Sequence, residues 1–402
     1  MSLHARLAEL ASLGARGAGI ERGLFSAPEH AARTRIAAWA REAGLAVEQD
    51  RAGNLFVRAG DPDQPPIQCG SHLDTVKEGG AYDGAYGVVG GLEALERIVR
   101  SGVALRRPIE LVAWAGEEGS RFPLGTLGSS VYAGLTPLRA LDALIGDDGV
   151  AFSDALHGPT GLLADVPLRD GFPALAAYVE LHIEQGPVLE RAGARLGIVS
   201  AIAGQRRFAV TIDGIAGHAG TLPMAGRADA LCAASDLVLA VERAARNVGE
   251  AVATVGQLAV EPNQINVVPG RVTLRVDARS ADEARIDAIE QRLREAAREI
   301  AAARQVRLAV DLLEKRAAVS MNARLRGIVR DVCVRLDPRA FELPSGAGHD
   351  AMCIAQVAPA AMIFVPSIGG RSHVGDERTA PEDLALGVDA LVATMVMLAA
   401  AE

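Results

Sequence analysis

The sequence predicts an α/β protein in which a ferredoxin-like domain of βαββαβ order is inserted into a larger α/β domain. Three observations carry this expectation. Near-continuous apolar strands, such as PIELVAWAG (108–116) and AAMIFVPS (360–367), alternate with helical segments, as in a sheet covered on both faces. Residues 206–315 instead run strand, helix, strand, strand, helix, strand. A chain of 402 residues has room for two or three domains. The expected division is 1–205 with 318–402 for the larger domain and 206–317 for the insert.

Taken in order, LHARLAELASLG and APEHAARTRIAAWAREAGL space their apolar residues three and four apart and predict two helices. RAGNLFVRAG and IQCG predict short strands, and the second runs directly into SHLDT. GVVGGLEALERIVRSG predicts a helix stopped by Gly102. After strand PIELVAWAG, residues 119–175 are rich in Gly, Pro and Asp, with short helical pieces. ALAAYVELHIEQG predicts a strand or a strand–helix junction. In the insert, RRFAVTID, AVATVGQLAV, RVTLRVDAR and VRLAVDLLEK predict strands. GRADALCAASDLVLAVERAARN and ADEARIDAIEQRLREAAREIAAA predict its two long helices.

The composition excludes several function classes. Half of the residues are hydrophobic and 23% are charged, as in a globular domain rather than a disordered or collagen-like chain. A net charge of −9 argues against non-specific nucleic-acid binding. Cys69, Cys232, Cys333 and Cys353 form no C-x-x-C pair and are expected as reduced thiols in a cytoplasmic protein. The N-terminus carries charges and no long apolar stretch, unlike a secretory signal. The C-terminal run ALVATMVMLAAA is too short to span a bilayer and is expected as a buried helix.

The chemistry lies in the junctions that follow the strands. His72 and Asp74 follow IQCG, Asp83 sits in AYDGAYG, Glu117 and Glu118 follow PIELVAWAG, His182 lies in HIEQG, and His373 follows AAMIFVPSIGGRS. Ligands of open α/β sheets bind beyond the carboxyl ends of the strands, so one crevice can collect these residues. The mixed imidazole and carboxylate set suits zinc, manganese or cobalt. It is too large for one tetrahedral ion, but a carboxylate shared by two ions resolves the excess. Asp83 suits that bridge because Gly84 permits a tight bend. Of the adjacent glutamates, one would bind metal and the other act as general base. Asp74 is placed to accept the second imidazole N–H of His72.

Other readings are weaker. A single histidine after a strand is usually a satisfied polar residue, and paired glutamates are usually a solvated face; it is the joint pattern that points to metal. No G-x-G-x-x-G follows a strand, and neither a Walker A loop nor a G-x-S-x-G elbow is present. Ser345, His349 and Asp350 in PSGAGHDA are neighbours in sequence, whereas a catalytic triad is assembled across a fold.

With these residues in view, the chain resembles the amidase/hydantoinase/carbamoylase family of the di-zinc exopeptidase superfamily. That family includes N-carbamoyl-L-amino acid hydrolases and allantoate amidohydrolases. The matching segments are GSHLDTVKEGGAYDGAYGVVGGLEAL, EEGSRF, LHIEQGPVLE, GHAGTLPMAGRADAL, NQINVVPGRVTLRVDARS, PSGAGHDA and VPSIGGRSHVGDE, which span residues 70–377. The resemblance implies a di-zinc exopeptidase-like catalytic domain whose insert is a lid and dimerisation domain. It implies two divalent metal ions per subunit, zinc first, held by His72, Asp83, Glu118, His182 and His373, with Glu117 as general base. It implies that His218 reaches the neighbouring subunit's site to stabilise an oxyanion. Gln185, Asn266 and Arg279 would bind substrate, with Arg279 clamping a carboxylate. The family usually has proline two residues after the last histidine ligand; Gly375 stands here, and a looser loop is expected.

The implied reaction is hydrolysis of an N-carbamoyl-L-amino acid by a metal-bridging hydroxide, giving the amino acid, carbon dioxide and ammonia. Allantoate or another ureido acid is the alternative substrate. A peptidase of the same superfamily is the next alternative, and a non-catalytic binding protein would require a lost ligand or base, which this chain does not show.

Overall fold

The computed structural model describes residues 1–169, 171 and 173–400. They form two compact units. The first comprises Met1–Ser200, Met321–Leu343 and the stretch from Ala347 onward; the second comprises Ala201–Ser320 and Pro344–Gly346. The inserted unit is thus a few residues wider at each end than 206–317, and it takes in a three-residue piece from further along the chain.

The first unit is built on a mixed sheet. Its order runs Gly197–Ile202, Ala360–Val365, Ala177–Ile183, Ile67–His72, Ile109–Trp114, Leu55–Ala59, Ala46–Gln49. The four strands from Ala360–Val365 to Ile109–Trp114 are parallel to one another, and the flanking pairings are antiparallel. Every residue of the four parallel strands is buried, which is why they read as continuous apolar runs rather than alternating ones. The helix Ala85–Ser101 buries Val88, Val89, Leu92 and Leu95 in the same core as Leu181, Ile183 and Ile363 of the sheet. Ala46–Gln49, Gly197–Ile202 and Phe341–Ser345, which pairs with Gly197–Ile202, were not singled out in the sequence. Ala46–Gln49 (AVEQ) carries one large apolar residue, and the six residues of Gly197–Ile202 are too short a run to distinguish strand from helix.

The last helix runs Pro381–Ala400 and is therefore longer than the apolar run at its end. By length and composition it reaches the 20 residues that could cross a membrane. Its packing decides otherwise: Leu384, Val388, Leu391, Met395 and Leu398 are buried in the core of the first unit.

The second unit contains strands Gly204–Asp213, Val252–Glu261, Arg271–Ser280 and Arg307–Arg316, with helices Ala230–Val248 and Glu283–Arg304. All neighbouring strands are antiparallel, in the spatial order second, third, first, fourth. Asp229 and Asp282 start the two helices by accepting backbone N–H bonds. Phe208, Val210 and Ile212 alternate inward and meet Val272, Leu274 and Val276 beneath Leu237, Val241 and Leu293. Phe208 has no exposed surface. Phe208→Ala is therefore expected to destabilise this unit by about 3–5 kcal/mol, measured by urea unfolding followed by circular dichroism.

Candidate metal centre

Parallel strands bring their carboxyl ends to one edge of the sheet. His72 ends the Ile67–His72 strand, and Glu117 and Glu118 follow the Ile109–Trp114 strand. His182 is the penultimate residue of Ala177–Ile183, inside the strand rather than after it. His373 lies in the segment after Ala360–Val365. Asp83 precedes the Ala85–Ser101 helix, whose N-cap is Gly84 at φ 63°. A Cβ at Gly84 would lie 2.4 Å from the His72 ring, so only glycine lets the helix start there.

Asp83 is the centre of the arrangement. Its Oδ1 is 3.2 Å from His182 Nε2 and 3.6 Å from His72 Nε2. Its Oδ2 is 3.2 Å from His373 Nε2, and Glu118 Oε1 is 3.6 Å from that same nitrogen. The candidate donors thus fall into two groups that share Asp83: His72, Asp83, His182 and Asp83, Glu118, His373. A further group, Glu180, His182 and His349, adjoins the first.

The ring orientations favour metal binding through Nε2. His72 Nδ1 is 2.9 Å from the Asp74 carbonyl oxygen, and His182 Nδ1 is 2.8 Å from the Ile183 carbonyl oxygen. A carbonyl only accepts, so each Nδ1 carries a proton and each ring turns its Nε2 toward Asp83. Burial alone would raise the Asp83 carboxyl, but hydrogen bonds with His182, His373 and His72 hold it well below the usual carboxylate range. Burial and the Asp83 charge push Glu118 up to about 7. Burial also pushes Glu117 well above its ordinary value, helped by Asp350 and Glu118 and opposed by His72. Glu118 Oε1 is buried with no hydrogen-bond partner among the described residues. Such a concentration of buried carboxylates is costly without cations. The donor set and the orphaned oxygen therefore fit divalent metal ions.

Asp74 works differently from the expectation. Its main-chain oxygen holds His72, whereas its Oδ1 is 3.7 Å from that ring nitrogen. The carboxylate instead accepts the N–H groups of Glu117 at 3.0 Å and Glu118 at 3.1 Å, fixing the loop that carries both glutamates. Glu117 Oε2 is 3.9 Å from His72 Nε2, at the margin of the cluster. Gln185, expected to bind substrate, donates its amide N–H to Asp83 Oδ2 at 2.7 Å.

His218, Asn266 and Arg279 belong to the second unit. Gly217–His218 pairs with Val267–Val268, and the Ala219 N–H donates to the Asn266 carbonyl, so these two expected residues are neighbours. The Gly220 N–H donates to His218 Nδ1 at 3.1 Å, which leaves Nε2–H as the donor of the neutral ring. Arg279 already makes a two-point contact with Asp277, through Nε at 2.8 Å and Nη2 at 3.4 Å, and Nη1 donates to the Gly346 carbonyl at 3.1 Å.

Glu180, Ser372 and Glu377 were not singled out in the sequence. His349 is buried with its ring 4.6 Å from that of His182, edge on. Glu180, also buried, accepts from Ser71 Oγ at 2.9 Å and the Ala351 N–H at 2.8 Å. Ser372 and Glu377 tie the His373 segment to Asp83. The only advance signal for Glu377 was its place in SHVGDE. Gly375 does not loosen the loop: a Cβ there would lie 1.8 Å from the Ala18 carbonyl oxygen, so the loop is packed against the Ala15–Ile20 hairpin.

Residues 69–396 match the model of peptidase family M20/M25/M40. The chain is 40% identical to the N-carbamoyl-L-amino acid amidohydrolase of Geobacillus stearothermophilus, over 99% of this chain and 98% of that one. It is 38% identical to the allantoate amidohydrolase of Escherichia coli, over 97% and 96% of the two chains. A crystal structure of an amidase of the hydantoinase/carbamoylase family from Burkholderia multivorans superposes with a TM-score of 0.93 at 38% identity, covering 99% of this chain and 97% of that one.

Two substitutions test the local geometry. Gly375→Ala must displace the Ala18 backbone and is expected to lower the melting temperature in differential scanning calorimetry. Asp74→Ala frees both glutamate N–H groups and is expected to reduce kcat by about 10–100-fold, with Asp74→Asn, which keeps one acceptor oxygen, falling between the two in steady-state assays.

Proposed function

Because the chain belongs to peptidase family M20/M25/M40, we propose that it is the amidohydrolase that cleaves the ureido C–N bond of N-carbamoyl-L-amino acids, releasing the L-amino acid, carbon dioxide and ammonia. The named relatives and the likeness to hydantoinase/carbamoylase amidases support this substrate class. The observation that carries the reading is Asp83, with one carboxylate oxygen toward His72 and His182 and the other toward His373.

On this reading His72, His182 and Asp83 would hold one divalent ion, and Asp83, Glu118 and His373 would hold the other. Zinc is first among the candidates, with manganese and cobalt suited to the same donors. When bound, the ions would polarise the ureido carbonyl and make a water more acidic. Glu117, set beside His72 but outside both donor groups, would take a proton from the attacking water and return it to the leaving nitrogen. Its raised proton affinity suits a base that must later act as an acid. His218 offers Nε2–H to the oxygen on which charge develops. Arg279 binds the substrate carboxylate, with Asn266 and Gln185 at the remaining polar groups.

The inserted unit, of βαββαβ order, acts as a ferredoxin-like lid and joins two subunits into a homodimer, with His218 serving the partner subunit's site. The four cysteines are free thiols, which supports a cytoplasmic setting. Allantoate is the second substrate reading, favoured by the Escherichia coli relative.

The experiment is ammonia release from metal-loaded protein, with N-carbamoyl-L-amino acids, β-ureidopropionate and allantoate in parallel. Turnover of an N-carbamoyl-L-amino acid is expected, lost to chelator and restored by zinc, manganese or cobalt; turnover of allantoate alone moves the assignment to that substrate. Glu117→Gln is expected to keep near-normal metal content by elemental analysis while kcat falls by about 10²–10⁴-fold. Arg279→Ala is expected mainly to raise KM; an unchanged KM removes the clamp role.

A further inference from the structure

We infer that Glu377 is a positioning residue that locks the Asp83 loop to the His373 loop and thereby sets the affinity of the ion held by Asp83, Glu118 and His373. The inference rests on the two-ion reading of the site.

Glu377 lies four residues after His373 and is 3% exposed. Its Oε1 accepts the N–H groups of Tyr82 at 2.9 Å and Asp83 at 3.0 Å. Its Oε2 is 2.6 Å from Ser372 Oγ, and that hydroxyl is also 3.0 Å from Asp83 Oδ2. One carboxylate therefore holds the backbone of Asp83 from one side and the residue before His373 from the other. The Glu377 N–H closes its own turn on the Val374 carbonyl at 3.1 Å.

The two donor groups depend on this lock to different degrees. His72 and His182 sit within strands and have their rings pinned by main-chain oxygens. His373 lies outside regular structure, at φ 58°, with its side chain 49% exposed. Left-handed backbone is unfavourable for a residue with a Cβ and persists only where the surroundings impose it. Glu377 supplies the inner restraint, and the packing of Gly375 against Ala18 supplies the outer one. Loosening the inner restraint should release His373 and leave His72 and His182 in place.

The test is metal binding by apo protein, with zinc titrated against a chromophoric chelator and cobalt followed by its visible absorption. Wild type is expected to bind two ions. In Glu377→Ala the weaker ion should lose about 10–100-fold in affinity, with the tighter ion changing far less. Glu377→Gln keeps an acceptor for Tyr82 and Asp83 and should recover most of that loss, a rescue that a general packing defect would not show. Ser372→Ala, which leaves the backbone bonds intact, should weaken the same ion and carries the test should Glu377→Ala fail to fold. Wild-type affinities for both ions in Glu377→Ala, or in Ser372→Ala alone, overturn the inference while leaving the two-ion reading standing. Fewer than two ions on wild type removes that reading and the inference with it.

Discussion

Asp83 keeps its carboxyl well below the usual range in a buried crevice crowded with acids. Most of the local structure converges on that carboxylate. Three imidazoles face its carboxylate. Gly84 lets the next helix begin without striking His72. Glu377 grips its backbone, and Gln185 and Ser372 donate to its outer oxygen. A carboxylate in this position is stable only because its surroundings hold charge and geometry together.

Main-chain groups do much of the positioning that side chains are usually asked to do. The Asp74 and Ile183 carbonyls set the protonation of the two strand histidines, and the Glu117 and Glu118 amides are gathered by the Asp74 carboxylate. Strand ends are rigid, so groups borrowed from them are aimed more reliably than those on loops. The division also explains the contrast between the deeply buried His182 and the half-exposed His373. One belongs to the sheet, and the other to a loop that needs its own fastenings.

The second unit solves a separate problem, presenting polar groups on a small antiparallel sheet with its own core. Arg279 is not a free cation there. Asp277 takes its side edge and is itself met by Arg207 and Gln205. That network, with the Gly346 carbonyl on Nη1, orients the guanidinium.

The sequence by itself determined the βαββαβ order of the second unit, the strand–helix alternation of the larger unit and the residues whose types suit a shared-carboxylate metal site. Those features are local: apolar runs report burial on both faces, and His, Asp and Glu after strands report a crevice whose floor is the sheet edge. The tertiary structure decided which atom of each residue acts. Asp74 could be placed beside His72 from spacing, but whether its carbonyl or its carboxylate meets the ring depends on where the Glu117–Glu118 loop passes. Gly375 read as slack and proves to be a close contact, because the backbone of Ala18 arrives from the far end of the chain. Glu377 read as one acid among many and becomes a junction only when Tyr82 and Asp83 fold against it. Contacts between segments hundreds of residues apart leave no periodic trace in sequence, so packing alone reveals them.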